Sequence, residues 1–159
     1  MKIDKRQIKS LIEVLLTYSG LQGRHVSLLF TDNKKIRELN RQFFGRDLPT
    51  NVISFSYMTA EDMGVAKNIE VSIDEEVIGD IIISLEKAVE EAEEVGCDFH
   101  ERLMALIIHG LLHIKGFEHE RGGNEARRMR YQEKKLLRYI MGHERYRRLI
   151  LKDSLKHGH

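Results

Sequence analysis

Hydrophobic positions near the start of the chain recur first with helical spacing and then with strand spacing. Five apolar residues before Gly20 share one helix face: Ile8, Leu11, Ile12, Leu15 and Leu16. Residues 25–30 alternate apolar and polar positions and predict a strand. A second helix is predicted over residues 32–45, with Ile36, Leu39 and Phe43 as its inner stripe. Residues 51–57 alternate again and predict a second strand.

The middle of the chain predicts a strand pair followed by a helix. Residues 69–73 alternate, whereas residues 79–84 contain three consecutive isoleucines, so an edge strand is expected beside a central strand that is covered on both faces. A helix is then predicted from Leu85 to its stop at Gly96. Its inner stripe is Leu85, Ala88, Val89, Ala92 and Val95, and its outward residues are Glu90, Glu91, Glu93 and Glu94.

A fourth predicted helix is apolar almost all round, which is typical of a buried central helix. It follows Asp98, spans residues 103–114 and is interrupted only by His109 and His113. A long helix is expected over residues 124–141, and residues 143–159 are expected to form a polar C-terminal tail or a short helix. We therefore predict one α/β (α+β) domain over residues 1–159, with a mixed sheet of three to four strands and about five helices.

The composition of the chain limits which side chains can bind a metal ion. The chain has 159 residues and a single cysteine, Cys97, so a disulfide framework and a multi-cysteine zinc site are excluded and any metal must be held by histidine or carboxylate. Charged residues interrupt the first 20 positions, so neither export nor membrane insertion is expected, and a cytoplasmic location follows.

The net charge of +1 conceals a strong segregation of charge along the chain. The formal charge is +5 over residues 1–59, −12 over residues 60–101, +1 over residues 102–119 and +7 over residues 120–159. Most of these charges are expected on solvated helix faces. The basic blocks nevertheless permit contact with a polyanion.

Three histidines near the central helix have the spacing of a metal site. His109 and His113 are one helical turn apart and project from the same face. Gly116 is suited to end the helix in a left-handed conformation. The resulting turn would bring His119 toward the other two histidines as a third ligand. Three imidazoles would leave a fourth tetrahedral position for water, as in catalytic zinc sites. The alternative is a hydrogen-bonded structural cluster.

The same histidine spacing occurs in the long zinc-protease motif. That motif requires a glutamate directly after the first histidine as general base, and this chain has Gly110 there. Conventional peptide hydrolysis therefore loses its base, although the metal ligands remain.

Three stretches of the chain resemble the YbeY family of bacterial endoribonucleases. Residues 109–119 read HGLLHIKGFEH, close to the family pattern H-G-x-L-H-L-x-G-Y-D-H. Residues 39–55 read LNRQFFGRDLPTNVISF, close to L-N-x-x-Y-R-G-K-D-x-P-T-[DN]-V-L-S-F, and residues 79–84 read GDIIIS, close to G-D-I-x-I-S. Phe117 and Glu118 replace the usual Tyr-Asp, and Phe44 replaces an arginine linked to RNA activity.

The resemblance implies a single-strand-specific, metal-dependent endoribonuclease in ribosomal RNA maturation, including processing of the 16S 3′ end, and in ribosome quality control. It implies one Zn²⁺ held by His109, His113 and His119 plus water. The implied partners are ribosomal RNA and a ribosomal subunit or ribosomal proteins, with no membrane.

The remaining site residues are assigned by analogy and by charge. Arg46 is the expected catalytic cation in place of the missing arginine, with Arg41 as its alternative. The expected cleft or outer-ligand residues are Glu118, Asn51 and Ser54. The expected RNA-binding residues are Arg41, Arg127, Arg128 and Arg130. Two other functions stay open: a metal-dependent hydrolase of another substrate such as a peptide, and a non-catalytic, ribosome-associated metal-binding protein.

Overall fold

A computed structural model describes residues 3–58, 77–117 and 123–156. The strands are β1 (His25–Thr31), β2 (Val52–Ser56) and β3 (Val77–Ser84). The helices are α1 (Lys5–Tyr18), α2 (Asn33–Phe44), α3 (Leu85–Val95), α4 (Phe99–Ile114), α5 (Gly123–Met141) and α6 (Glu144–Lys156). The described residues thus contain six helices: the five expected ones and α6, which lies where a polar tail or a short helix was expected. None of these helices combines the length and apolarity that crossing a membrane requires.

The sheet of the described residues is mixed and has the order β1-β3-β2. Strand β1 runs parallel to β3, with Leu28 opposite Ile81, and β2 runs antiparallel to β3, with Ser54 opposite the same Ile81. The prediction that the isoleucine-rich segment is the central strand is therefore confirmed, and Ile78, Ile81 and Ile83 are fully buried. The strand predicted over residues 69–73 lies outside the described residues.

Helix α4 is the centre of the core, as its apolar surface predicts. Ten of its residues are buried, and it packs against β2 and β3 as well as α3 and α5. The contact with the sheet is very close at Gly79. A Cβ atom placed there would lie 2.4 Å from the carbonyl oxygen of Phe55 and 2.8 Å from the side chain of Ile114. This glycine lets the sheet and the helix that carries the histidines approach each other.

Helix ends follow the capping residues in the sequence. Asp4, Asp32, Ser84 and Asp98 are the N-caps of α1, α2, α3 and α4, and each side chain accepts a backbone N–H from the first turn. Asp98 accepts the N–H of His100 at 2.8 Å. The Asp98 cap sets where α4 begins and therefore how its histidines are placed.

Some predicted inner positions are wrong. Phe43 is 53% exposed, and its ring meets the edge of Phe55 at a centroid distance of 5.1 Å instead of entering the core. Val95 is 64% exposed. In the opposite sense, Glu91 was expected to face solvent but is half-buried between helices, where Arg102 neutralises its charge.

The C-terminal segment forms a 13-residue helix in the described residues. Helix α6 packs on α1 and α5 through Tyr146 and Leu149, both of which are buried. Burial raises the pKa of Tyr146 well above its usual range, with a further contribution from nearby Asp98. This helix therefore contributes Tyr146 and Leu149 to the hydrophobic core.

Candidate active site

The two histidines of α4 converge on each other. Their Nε2 atoms lie 3.1 Å apart, and the rings are inclined by 72° with centroids 4.6 Å apart. Both side chains are half-buried, so they meet at a point that solvent can reach. The i, i+4 spacing on a regular helix produces this arrangement, because it places successive side chains one above the other.

Glu133 of α5 approaches His109 from the other side of the imidazole. Its Oε1 atom is shielded from solvent and lies 3.4 Å from His109 Nδ1. A carboxylate at this nitrogen favours the tautomer in which Nδ1 carries the proton and Nε2 offers its lone pair. The pair therefore directs the electron-rich nitrogen of His109 toward His113.

A pocket of about 240 Å³ opens beside His109. Its described lining residues are Asn51, Arg102, Ala105, Leu106, His109 and Glu133. Arg102 lies seven residues before His109 on α4, which places both side chains on one face of the helix. The pocket thus combines an imidazole, a carboxylate, an amide and a guanidinium.

Glu91 of α3 positions two of these lining residues. Its Oε1 accepts hydrogen bonds from Arg102 Nε at 3.0 Å and Nη2 at 2.8 Å. Its carboxylate also accepts from the amide of Asn51, at 3.2 and 3.3 Å. Arg102 carries five N–H donors, so these bonds leave capacity for an anionic ligand in the pocket.

The end of α4 turns the chain as its glycine predicts. Gly116 has φ 101°, in the left-handed region, and its N–H donates to His113 O while the N–H of Phe117 donates to Leu112 O. These two hydrogen bonds together form a Schellman motif. His119 and Glu118 follow the turn and lie outside the described residues, so the third ligand stays a prediction.

The donor set can be compared with what zinc requires. Two nitrogens bound to one tetrahedral zinc ion lie about 3.3 Å apart, close to the distance between the two Nε2 atoms. A carboxylate behind a ligating imidazole is the usual outer partner of such a ligand. No group of three potential metal ligands occurs within residues 3–58, 77–117 and 123–156. The spacing of the two nitrogens fits two positions of a tetrahedral metal site, and His119 stays the predicted third ligand.

Gly110 faces away from the pocket. A Cβ atom at this position would point toward β3 and lie 3.0–3.3 Å from three side-chain atoms of Ile81. The residue after the first histidine therefore packs on the sheet and cannot present a general base to the histidine pair. This packing explains why the chain shares the histidine spacing of the zinc-protease motif but lacks its general base.

The other predicted site residues are distributed over several surfaces. Asn51 lies in the pocket, whereas Ser54 lies on β2 opposite Ile81 and is not among the lining residues. Arg41 is exposed and lies 3.9 Å from Asp47, and Arg46 is exposed in the loop after α2. Neither arginine lines the pocket at His109. The three remaining predicted RNA contacts are exposed on α5: Arg127, Arg128 and Arg130.

Two residues of the site were not predicted from the sequence. Glu133 lies four residues after buried Met129 and three before buried Leu136, so a carboxylate occupies the inner stripe of α5. That interruption was an available signal. Arg102 gave a weaker signal, since one arginine near the start of a buried helix is ordinary.

The fold and the site define a class: a small α/β protein with a histidine pair on its central helix and a carboxylate behind that pair. A family model described as Endoribonuclease YbeY matches residues 1–141. The chain belongs to this YbeY family of endoribonucleases, and the expectation of a hydrolytic nuclease is confirmed at the level of the family.

Individual relatives agree with the family assignment. The Endoribonuclease YbeY of Geobacter sulfurreducens is 41% identical over 135 residues, covering 84% of this chain and 85% of the relative. The Endoribonuclease YbeY of Syntrophus aciditrophicus is 38% identical over 144 residues, covering 90% and 85%. The solution structure of TM1509 from Thermotoga maritima matches with a TM-score of 0.61 and 26% identity over 89% of this chain and 86% of that chain. The predicted α/β class is thereby confirmed.

Proposed function

We propose that this chain is a zinc-dependent endoribonuclease that cleaves single-stranded ribosomal RNA during ribosome maturation, including the 3′ end of 16S RNA, and in ribosome quality control. The observation that carries the proposal is the convergence of His109 and His113 at 3.1 Å with Glu133 behind them. Ribosomal RNA and a ribosomal subunit or its proteins are the proposed partners, in the cytoplasm. The family assignment supports an RNA substrate.

His109, His113 and His119 would hold one Zn²⁺. When bound, such an ion lowers the pKa of water toward about 7 and polarises a phosphoryl oxygen. The protein groups act around this centre. Glu133 orients His109, and Arg102 offers paired N–H donors, which match the geometry of a phosphodiester. Arg127, Arg128 and Arg130 of the basic final block would contact more distant phosphates.

The function is tested by single-turnover cleavage of a ribosomal RNA fragment containing the 16S 3′ end. Zinc-loaded protein is expected to cut the single-stranded fragment and to leave the same sequence intact when it is annealed to its complement. Cleavage of neither form by zinc-loaded protein would overturn the proposal and favour the non-catalytic alternative. Cleavage of a peptide instead would favour the alternative that the chain is a metal-dependent hydrolase of another substrate.

The role of Glu133 gives a prediction for metal affinity. Replacing Glu133 with glutamine keeps the side-chain size but removes the charge that orients His109. Zinc affinity is expected to fall by about 10- to 100-fold, as is usual when the outer partner of a ligand is lost. Competition against a chelator of known affinity measures this directly and does not depend on cleavage.

Glu93→Gln is the matched control, because Glu93 is an exposed glutamate on α3. Its zinc affinity should equal that of the wild type. Equal affinities for Glu133→Gln and the wild type would show that the carboxylate does not support the ligand.

The phosphate-binding cation can be identified by comparing arginines in the cleavage assay. The resemblance to the family indicates Arg46 as this cation, with Arg41 as its alternative. Arg102 is a third candidate because it lines the pocket. We expect Arg102→Ala to reduce cleavage about 10²-fold, the usual cost of one lost donor to developing charge, with bound zinc unchanged. Arg102→Lys should recover only part of the rate, since lysine cannot form the paired contact.

A larger loss in Arg46→Ala or Arg41→Ala than in Arg102→Ala would transfer the role to the loop after α2. Because Arg102 also neutralises Glu91, thermal unfolding of each variant must accompany the assay. A rate loss in Arg102→Ala that tracked only unfolding would remove Arg102 from the site.

A further inference from the structure

A cluster of tyrosines and cations lies on the solvent side of α5. The side chains of Tyr18, Tyr131, Lys134, Lys135, Arg138 and Tyr139 line a surface pocket of about 370 Å³. Tyr131 is 64% exposed, Tyr18 42% and Tyr139 38%. Large aromatic rings gathered at a surface mark a binding site more often than isolated exposed ones do. We call these six residues the tyrosine pocket.

The α5 members of the tyrosine pocket recur with regular helical spacing. Positions 131, 134, 135, 138 and 139 follow the i, i+3, i+4, i+7, i+8 pattern that defines one helix face. The buried residues Met129, Leu136 and Ile140 occupy the opposite face. The pocket is therefore not part of the core stripe. Tyr139 stacks on Tyr18 of α1, but core packing does not account for Tyr131, which is 64% exposed.

Two of the three rings are held against each other. Tyr18 and Tyr139 stack with centroids 3.9 Å apart and planes inclined by 17°. The ammonium group of Lys135 lies 5.8 Å from the centroid of the Tyr18 ring. A ligand that binds beside Tyr131 meets this preformed Tyr18–Tyr139 pair, which reduces the entropy lost on binding.

The lining has one sign of charge. Lys134, Lys135 and Arg138 contribute three cations, and no carboxylate occurs among the described lining residues. An occupant that carries flat rings and regularly spaced negative charges complements this surface. Unpaired RNA has both properties, because its bases expose their faces and each nucleotide carries a phosphate. A duplex hides the faces of its bases and offers phosphates alone.

We propose that the tyrosine pocket binds unpaired nucleotides of an RNA chain, with a base stacked on Tyr131 and phosphates contacted by Lys134 and Arg138. This inference rests on the proposed function, since it names a second contact of the same substrate. Aromatic–base stacking contributes about 1–3 kcal/mol per base, and cations that follow the backbone add a salt-dependent contribution.

The position of the tyrosine pocket gives it an anchoring role. Glu133 projects from α5 toward His109, whereas the pocket lies on the opposite face of the same helix. A helix with its side chains is about 10–12 Å wide, so one nucleotide cannot fill both places. RNA held in the pocket must extend for several nucleotides from the bond being cleaved. Loss of the pocket should therefore weaken binding without altering the chemistry at the histidine pair.

The test is equilibrium binding of a fluorescent 12-nucleotide oligouridine RNA to the full chain, measured by anisotropy at several salt concentrations. Tyr131→Leu should weaken binding about tenfold, because leucine keeps an apolar side chain but removes the stacking ring. Tyr131→Phe should bind within about twofold of the wild type. Lys134→Ala should weaken binding and reduce the slope of log affinity against log salt by about 0.7, the value for one phosphate of a single strand.

Lys34→Ala is the charge control, because Lys34 is an exposed lysine on α2, and it should match the wild type in affinity and slope. The same strand annealed to oligoadenylate should bind equally to the wild type and Tyr131→Leu. Equal oligouridine binding by the wild type and Tyr131→Leu, or an equal loss for the duplex, would overturn the proposal. Binding is measured without cleavage, so failure of the tyrosine pocket remains distinguishable from failure of the nuclease function.

Discussion

Replacing His113 with alanine is expected to abolish RNA cleavage and to remove tight zinc binding. The substitution deletes one of two nitrogens that converge at 3.1 Å, and a metal ion held by the remaining ligands would be weakly bound and poorly oriented. A fall in single-turnover rate of at least about 10³-fold is expected, equivalent to roughly 4 kcal/mol of transition-state stabilisation. Metal analysis of the purified variant and the cleavage assay measure the two effects separately.

His25→Ala provides the control, because His25 is an exposed histidine at the start of β1, whereas α4 packs mainly on β2 and β3. It should retain both zinc and activity. Normal cleavage by His113→Ala, with no zinc bound, would refute a metal-dependent reaction at this pair. Loss of cleavage with zinc still fully bound would instead give His113 a role other than ligation.

Gly79→Ala is expected to cause the largest loss of stability among single methyl additions in the described chain. The new Cβ would lie 2.4 Å from the carbonyl oxygen of Phe55, which belongs to the neighbouring strand and cannot turn aside as a side chain could. Overpacking of a core costs about 1–3 kcal/mol and more where backbone must move. We expect a loss of about 3 kcal/mol, or a fall in Tm of about 6–12 °C. Thermal and denaturant unfolding provide the measurement.

Gly142→Ala is the matched glycine control, because its nearest neighbour beyond the adjacent residues would lie at an ordinary 3.4 Å. Its stability should change by less than about 0.5 kcal/mol. If Gly79→Ala were equally harmless, the sheet and α4 would not be in the close contact described above.

Local geometry accounts for what could be predicted about the site. The spacing of His109 and His113 determines their approach once a helix forms, and Gly116 adopts its left-handed conformation because the helix ends there. The central position of β3 also follows from sequence, since a run of three isoleucines suits a strand buried on both faces. These features depend on neighbours in the chain.

The contributions of Glu133, Glu91 and Arg102 depend on which helices meet. A carboxylate is expected to face water unless a partner compensates its charge, and hydrophobic periodicity contains no information about partners on other helices. Glu91 was assigned outward for this reason, yet Arg102 of α4 neutralises it. The predicted inner positions of Phe43 and Val95 are wrong for a different reason. They lie in the last turns of α2 and α3, where the apolar stripe continues but leaves these side chains exposed.

The contact between Gly110 and Ile81 also restricts how this scaffold could be redesigned. Judged from the sequence motif alone, converting the chain into a zinc peptidase requires one substitution, a glutamate after His109. In the folded protein that side chain would enter the interface between α4 and β3, where even a methyl group lies 3.0 Å from Ile81. A designer would have to supply the base from another element, such as the strand or helix that borders the pocket. The shared histidine spacing therefore does not make the two activities interchangeable on this scaffold, because a side chain at position 110 has to displace Ile81.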